Sequence, residues 1–465
     1  MSQAVAVVLA AGQGTRMRSK RPKVLHPLCG RPMLHTVVET VRRAGAGRVI
    51  VVVGHGADEV RAACAGLDVE FVEQRPQLGT GHAVAQAEPL LGQYDGPLLV
   101  TYGDTPLWRP ETLADLLARH RASGAAASVI SAVVDEPAGY GRVVRDKVTG
   151  RFLRIVEQKD ASAEEAQIRE INSGTYCFDA PRLFAALREV EPVNAQGEYY
   201  LPDVLTVLER AGHAIEVVIV PDAREVLGVN NRAELARAEK ILRRRIVEEW
   251  MLAGVTVEDP DTVYIDPRAR LEADAVILPF TFIRGASVIG EDCRIGPHAE
   301  IEDSEIGRGA VVERAVVRQS RVGPGCTVGP FAFLRPGTVL EAGAKAGTFV
   351  EIKQSVIGPG SKVPHLAYLG DATLGRDVNV GAGTITCNYD GERKHPTFVG
   401  DGAFIGSNTN LVAPVRVGEG AYIGAGSTIS RDVPPDALAV ERAEQRIIEG
   451  WAAKRRSKRM AQEAP

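Results

Sequence analysis

Several stretches in the first half of the chain carry residue types suited to handling a phosphate. LAAGQGTRM, Leu9 to Met17, sets Gly12 and Gly14 directly after an apolar run, so the backbone can come close to a ligand and a following helix can turn free N–H groups toward an anion. Arg16 and, in RPKVL, Lys23 follow within eleven residues of Gly12; a triphosphate that loses pyrophosphate needs positive charge of this kind beside the leaving group. A surface turn with solvated Arg and Lys fits the same residues. The stretch lacks the GK[ST] of a P-loop, and the third position of a dinucleotide GxGxxG falls on Met17, which disfavours both of those sites. YGDTP places Asp104 at the end of the run Leu98 to Thr101, and Mg²⁺ commonly takes only one or two carboxylates, completing its octahedron with phosphates and water. Asp104 as a helix cap before Pro106 is the alternative. QLGTGHA, Gln77 to Ala83, is a further glycine turn entering a helix.

In the second half, the polar stretch TCNYDGERKH, Thr386 to His395, interrupts a regular repeat, and loops thrown from a rigid scaffold are where sites tend to be built. Only His298, His365 and His395 occur past residue 250, separated by 67 and 30 residues, which disfavours a zinc site of three histidines with two close together. His365, in KVPHLAYLGD, is a candidate proton acceptor, because an imidazole titrating near ~6.5 could take a proton from an attacking amine at neutral pH. A packed or solvated histidine is the plainer reading of that residue alone. Cys387 has nothing cationic beside it in sequence to lower its pKa and reads as structural.

These residues call for two different scaffolds. Residues 281–430 hold 25 of the 48 glycines, and aliphatic residues recur there with a fixed period. Ile265, Leu271, Ile277, Ile283, Ile289, Ile295 and Ile301 fall six apart, as do Val399, Ile405, Leu411, Val417, Ile423 and Ile429. Six matches neither the 3.6 of a helix nor the 2.0 of a half-buried strand, but suits short strands with a corner after each. Three such strands close a triangular coil, and coils stacked at ~4.8 Å pair their backbones while every sixth aliphatic side chain enters a shared core. From Ile265 to Ile429, less the excursion between Val380 and Val399, this predicts roughly nine coils in a prism about 40 Å long. In the first half, strands Val5 to Leu9, Val49 to Val53 and Leu98 to Thr101 alternate with helical stretches, which predicts a mostly parallel, doubly wound sheet with ligands at its carboxyl edge. Leu235, Ala238, Ile241, Leu242 and Arg245 keep near-helical spacing within Arg232 to Leu252, read as a connecting helix. The last twenty-five residues also read as helical, with Ile447, Ile448 and Trp451 on one side and the solvated run KRRSKR, Lys454 to Arg459.

Composition sets outer bounds. A chain of 465 residues exceeds what one core serves, and 25% charged with 45% apolar residues is globular composition rather than disorder or collagen. A net charge of −4 disfavours a dedicated nucleic-acid coat. Six cysteines without a CxxC pair exclude a zinc ribbon or a small disulfide scaffold, and the longest early apolar run, Ala4 to Ala11, is too short for a membrane span. The expectation is a cytoplasmic protein without export signal, membrane span or nucleic-acid partner.

LAAGQGTRM with RPKVL, QLGTGHA, YGDTP, GYGRV, VEQKD, INSGTY and GVNNR, in this order, strongly resemble a sugar-1-phosphate nucleotidyltransferase. Together with the hexapeptide half, nearly the whole chain resembles the bacterial bifunctional N-acetylglucosamine-1-phosphate uridylyltransferase and glucosamine-1-phosphate N-acetyltransferase family. The resemblance implies an α/β uridylyltransferase domain over residues 1–232, with a Rossmann-like, mixed and mostly parallel sheet. It further implies a linker helix over 233–253 and a left-handed parallel β-helix with a C-terminal helical arm over 254–465. Leu9, Ala10, Ala11, Gly12, Lys23, Gln74, Gly79 and Thr80 would then surround uracil and ribose of UTP. Sugar contacts fall on Gly141, Glu157 and Asn172, and Mg²⁺ on Asp104 and Asn230, beside Tyr102 and Gly103. For acetyl transfer the same resemblance makes His365 the base, Glu351 the glutamate that orients it and Ser407 the donor to the oxyanion. Asn388 completes that catalytic set. It places substrate phosphate and sugar on Arg335, Lys353, Tyr368, Asn379, Asn388, Tyr389 and Lys394, and acetyl-CoA on Ala382, Ser407, Ala425 and Arg442. Glu441, just before Arg442, departs from the usual pattern there.

The implied product is UDP-N-acetylglucosamine for peptidoglycan and other envelope precursors, made from glucosamine-1-phosphate by way of N-acetylglucosamine-1-phosphate. The implied assembly is a homotrimer in which the loop around Asn388 and the arm around Arg442 reach an adjacent chain. A nucleotidyltransferase with a merely structural β-helix, or an inactive trimeric scaffold, are the competing readings; Glu351, His365, Asn388 and Ser407 discriminate against the first, and Arg16, Lys23 and Asp104 against the second.

Overall fold

The computed structural model describes residues 3–462, and the chain divides into two compact units between Arg245 and Ile246. In the first unit, β1 (Ala4–Ala10) is buried along its whole length, as expected of an interior strand covered on both faces. Its alternation feeds two cores: Ala4, Ala6, Val8 and Ala10 pack into one, Val5, Val7, Leu9 and Ala11 into the other. The other strands of its sheet are β2 (Ala46–Val53), β3 (Glu70–Glu73), β4 (Pro97–Tyr102), β5 (Ala127–Val133), β6 (Arg142–Arg145), β7 (Phe152–Val156), β8 (Glu170–Asp179) and β9 (Ile215–Ile219). Their order is β9-β5-β8-β4-β1-β2-β3, with β6 pairing β7 and β8. Only β8 and the β6–β7 hairpin run antiparallel, so the sheet is mixed and mostly parallel. The turns after β1 and β4 and the turn after β3 therefore open at one carboxyl edge.

The second unit is a left-handed parallel β-helix whose three faces hold 11, 10 and 9 short strands. All thirteen aliphatic positions picked out by the six-residue period are buried. The helix is longer than that period alone suggested, starting at Thr256 and still pairing at Leu438–Ala439. The period also shortens in the middle. Ile277 lies beside Ile295, Ile289 beside Ile306 and Ile301 beside Val317, so coils take 18, 17 and 16 residues. The short sides bend at a non-glycine residue in the left-handed region two positions after the inward aliphatic, at Asp303, Arg314 and Gln319, whereas the six-residue sides from Leu271 and Ile289 bend at the third, Asp274 and Asp292. The loop coil is the long exception: Leu374 lies beside Val399, 25 residues on.

The helix Arg232–Leu252 forms over the range its spacing predicts, and its first part is docked: Ala238 is buried with Leu28, Met33, Leu107 and Val229, and Leu235, Ile241 and Leu242 pack against them. One reading is corrected at the C-terminus: among the described residues helix forms only from Trp451 to Gln462, leaving Ile447 and Ile448 ahead of it and exposed, and the end of the expected helix, 463–465, lies outside the described residues. Gly450, in the left-handed region, separates the two stretches.

Candidate active sites

The carboxyl edge of the first sheet holds a cavity of about 590 Å³. Eleven of the residues expected around a nucleotide line it: Leu9, Ala10, Ala11, Gly12, Lys23, Gln74, Gly79, Thr80, Tyr102, Asp104 and Asn230. At one end Lys23 Nζ donates to the Asp104 carboxylate and, at 3.2 Å, to Asn230 Oδ1, while Arg16 Nη2 donates to the same Asn230 oxygen at 2.9 Å. Asp104 caps no helix, since the next one starts at Pro110. Gly103 N–H donates to Leu9 O at 2.9 Å, which ties the end of β4 to β1. A Cβ on Gly12 would meet no protein atom within 4 Å, leaving that space open to a ligand. Gly79 needs its glycine: its φ is +109° and a Cβ would stand 2.6 Å from Tyr199 O. Burial pushes the Tyr102 phenol up, and it shares a hydrogen bond with Thr80.

The lysine ammonium lying between Asp104 and the Asn230 amide oxygen shows that these two oxygens converge on one cationic position. One carboxylate and one amide oxygen suit Mg²⁺, which draws its other ligands from phosphates and water. Among the described residues, no cluster of three or more His, Cys, Asp or Glu forms a richer metal site.

Gly141, Glu157 and Asn172 lie together beside this cavity. Asn172 N–H donates to Gly141 O at 2.9 Å, and a Cβ on Gly141 would stand 3.0 Å from Glu157 Oε1. Burial pushes the Glu157 carboxyl up, reinforced by the Asp203 and Asp160 carboxylates and opposed by Arg142. The lining adds Gln13, Val24, Gln77, Ala83 and Glu198, which sequence reasoning did not assign. The first four sit inside the quoted motifs. Glu198 had no local signal, being carried in when Tyr199 N–H donates to Leu78 O and its carbonyl accepts from Gly81.

In the β-helix the expected acetyl-transfer residues climb one corner. His365 pairs across from Thr348; Leu366 O accepts from Gly383 N–H, Ala382 O from Asn408, and Ser407 O from Gly426. Ala382, Ser407 and Ala425 thus occupy successive coils above His365. In the single chain Arg442 Nη1 donates to Ala425 O at 2.8 Å, which lays this guanidinium against the same corner. On the adjoining face Glu351 lies beside Tyr368, and the amide of buried Asn388 donates to Asp371 Oδ2 at 2.5 Å. Asn379 lies one coil on, on the strand stacked against that of His365, paired across from Lys362 and Phe404. The Glu351 carboxylate is taken by Arg335 Nη1 at 2.8 Å; among the described residues no hydrogen bond joins it to His365, so the expected orienting contact is not made here. Lys353 is held below the ordinary lysine range by Lys394 first, then by burial and Arg335, with Asp371 opposing. Three cations crowd this point, as an anion site requires. Tyr389 and Lys394 bridge the loop across its neck. Burial pushes the Cys387 thiol up, away from the reactive thiolate.

A cavity lined by glycine turns, Lys23, Asp104 and Asn230 on a mixed α/β sheet, joined in one chain to a hexapeptide β-helix, is the architecture of a two-domain transferase. The comparisons agree on both halves: the MobA-like NTP transferase domain matches residues 6–168, and the bacterial transferase hexapeptide (six repeats) matches residues 396–431. The bifunctional protein GlmU of Heliobacterium modesticaldum is 53% identical over 451 residues, covering 97% of this chain and 98% of its own. That of Pelotomaculum thermopropionicum is 54% identical over 455 residues, 98% and 99% of the two chains. The chain belongs to the bifunctional GlmU family.

Proposed function

We infer that the chain first transfers an acetyl group from acetyl-CoA to glucosamine-1-phosphate and then a uridylyl group from UTP to the N-acetylglucosamine-1-phosphate formed, releasing pyrophosphate. The observation that carries this reading is the presence, in one chain, of the Lys23, Asp104 and Asn230 cluster in its cavity and of His365 beneath the Ala382, Ser407 and Ala425 corner. In uridylyl transfer a phosphate oxygen of the sugar phosphate attacks the α-phosphorus in line as the bond to pyrophosphate breaks, and no protein nucleophile takes part. Arg16 and Lys23 lie where positive charge offsets the leaving group, while the motif glycines leave room for the nucleotide. Mg²⁺, held by Asp104 and Asn230, supplies further charge neutralisation at the phosphates when bound.

In acetyl transfer the neutral amine attacks the thioester carbon, His365 takes the amine proton, and coenzyme A leaves as the tetrahedral intermediate collapses. Arg335, Lys353 and Lys394 suit the sugar phosphate. Ser407 is the donor proposed for the oxyanion, with Arg442 and Ala425 along the path of acetyl-CoA. Flat prism faces can be covered by closing three copies around an axis, so a homotrimer is part of the proposal. Among the described residues no helix is long and apolar enough to cross a membrane. One coupled assay tests the whole: purified protein given glucosamine-1-phosphate, acetyl-CoA, UTP and Mg²⁺ should release pyrophosphate. Omitting acetyl-CoA should stop it, and supplying N-acetylglucosamine-1-phosphate should restore it. No pyrophosphate under either condition would refute the uridylyl reading, and a monomeric mass at micromolar concentration would refute the trimer.

A further inference from the structure

Gln74 lines the nucleotide cavity while being almost wholly buried, so the direction of its amide is decided by the protein around it. Its Nε2 stands 2.8 Å from Gly79 O. A carbonyl oxygen can only accept, so this end of the amide must be the nitrogen. Its second proton faces His82 Nδ1 at 3.1 Å, on the short helix Thr80–Ala85 that follows the glycine turn. Both amide protons are then used inside the protein, and among the described residues Gln74 Oε1 accepts nothing. The group left for a ligand is an acceptor.

We propose that His82 is a positioning residue that sets base selectivity: by accepting from Gln74 Nε2 through Nδ1, it locks the amide so that only Oε1 meets the base. An acceptor held in this way favours the imide N–H of a uracil-type base and repels the bare ring nitrogen of cytosine. The proposal rests on the reading of this cavity as a nucleotide site. For Nδ1 to accept, the ring must be neutral. Burial lowers the His82 pKa, and the neighbours facing its two nitrogens are the uncharged amides of Gln74 and Gln86. A neutral ring accepts at one nitrogen only, so with Nδ1 accepting the proton sits on Nε2, and the Gln86 amide, 3.2 Å from Nε2, must turn its oxygen to that proton in place of its bond to His82 O.

The test compares kcat/KM for UTP and CTP, by pyrophosphate release with N-acetylglucosamine-1-phosphate, in the full chain and in His82→Leu and His82→Asn. Leucine removes the acceptor, and the UTP to CTP ratio should fall at least ~tenfold, mostly through KM for UTP, as one lost hydrogen bond of about 1.4 kcal/mol implies. Asparagine can place its Oδ1 where Nδ1 stood and should keep the ratio within about threefold of wild type. Acetyl transfer and melting temperature should stay unchanged in both. A wild-type ratio in His82→Leu, or an equal loss in His82→Asn, would overturn the proposal, the second by showing that only ring packing matters. Should His82→Leu not fold, His82→Phe keeps the ring volume while removing the same acceptor. If wild-type protein releases no pyrophosphate from UTP, the uridylyl reading fails by itself. Calorimetric binding of UTP against CTP to the same variants then decides the His82 proposal.

Discussion

Asp104→Asn is the sharpest probe of the first site. The substitution keeps the shape of the side chain and removes one negative charge from a place where Asp104 and Lys23 are only 16% and 15% exposed. At an effective dielectric of ~20 a unit charge about 4 Å from a charged partner is worth ~4 kcal/mol. Uridylyl transfer should therefore fall by roughly three orders of magnitude, a size typical of losing one preorganised electrostatic group. The fold should hold, because the backbone bond from Val229 N–H to Asp104 O at 2.8 Å is untouched and Lys23 keeps Asn230 Oδ1 at 3.2 Å. A loss of about 1 kcal/mol would lower the melting temperature by only ~2–4 °C in a unit of this size. The assay runs both half-reactions on the same preparation, with pyrophosphate release for uridylyl transfer and thiol release from acetyl-CoA for acetylation. Acetylation should stay within twofold, since its residues belong to the other unit. Uridylyl transfer retained within tenfold would remove Asp104 from the charge-bearing role, and loss of both activities in folded protein would end the two-site account.

The reciprocal variant, His365→Ala, should lower acetylation by ~10²–10⁴-fold, the usual contribution of a general base, and spare uridylyl transfer; equal loss of both would contradict it. Lys353 loses its proton at a lower pH than an ordinary lysine because Lys394 crowds it, so KM for glucosamine-1-phosphate should rise on the alkaline side. Lys394→Gln should move that limb to higher pH, and a pH profile of KM with an unmoved limb would separate the two lysines. Glu157 has its folded pKa raised, so its contribution to stability is present below the unfolded pKa and is lost as pH rises through the folded one. Glu157→Gln should therefore raise the melting temperature at pH 7.5 by on the order of 2 °C, with the gap closing toward pH 4, while raising KM for the sugar phosphate. Thermal melts showing a lower value at pH 7.5 would reverse that assignment.

The β-helix was readable because each side of a coil must send one aliphatic residue inward, a requirement met locally and repeated. Ile265 through Ile301 and Val399 through Ile429 obey it, and all are buried. The shortened middle coils escaped because corners such as Arg314 and Gln319 adopt the left-handed region without glycine, held there by the coils stacked on either side. The pairing of Glu351 with Arg335 escaped for a related reason. The two residues are 16 apart, one coil of separation, and nothing local says whether a carboxylate will turn to the arginine below it or to the histidine on the next face.

Features carried by neighbouring residues could be read along the chain: glycine turns at the sheet edge, a carboxylate at a strand end, a six-residue beat and the order of the motifs. These depend on backbone geometry over a few residues, which residue type constrains directly. Which side chains meet was decided only by the fold. Lys23 finds Asp104 and Asn230 across 81 and 207 residues because β1 lies beside β4 and the chain returns to that edge before its long helix. Glu198 enters the cavity on a backbone pairing, and the Gln74 amide takes its direction from Gly79 and His82. Such encounters follow from strand order and the docking of helices, which sum many weak contacts over the whole unit and leave no mark at any single position.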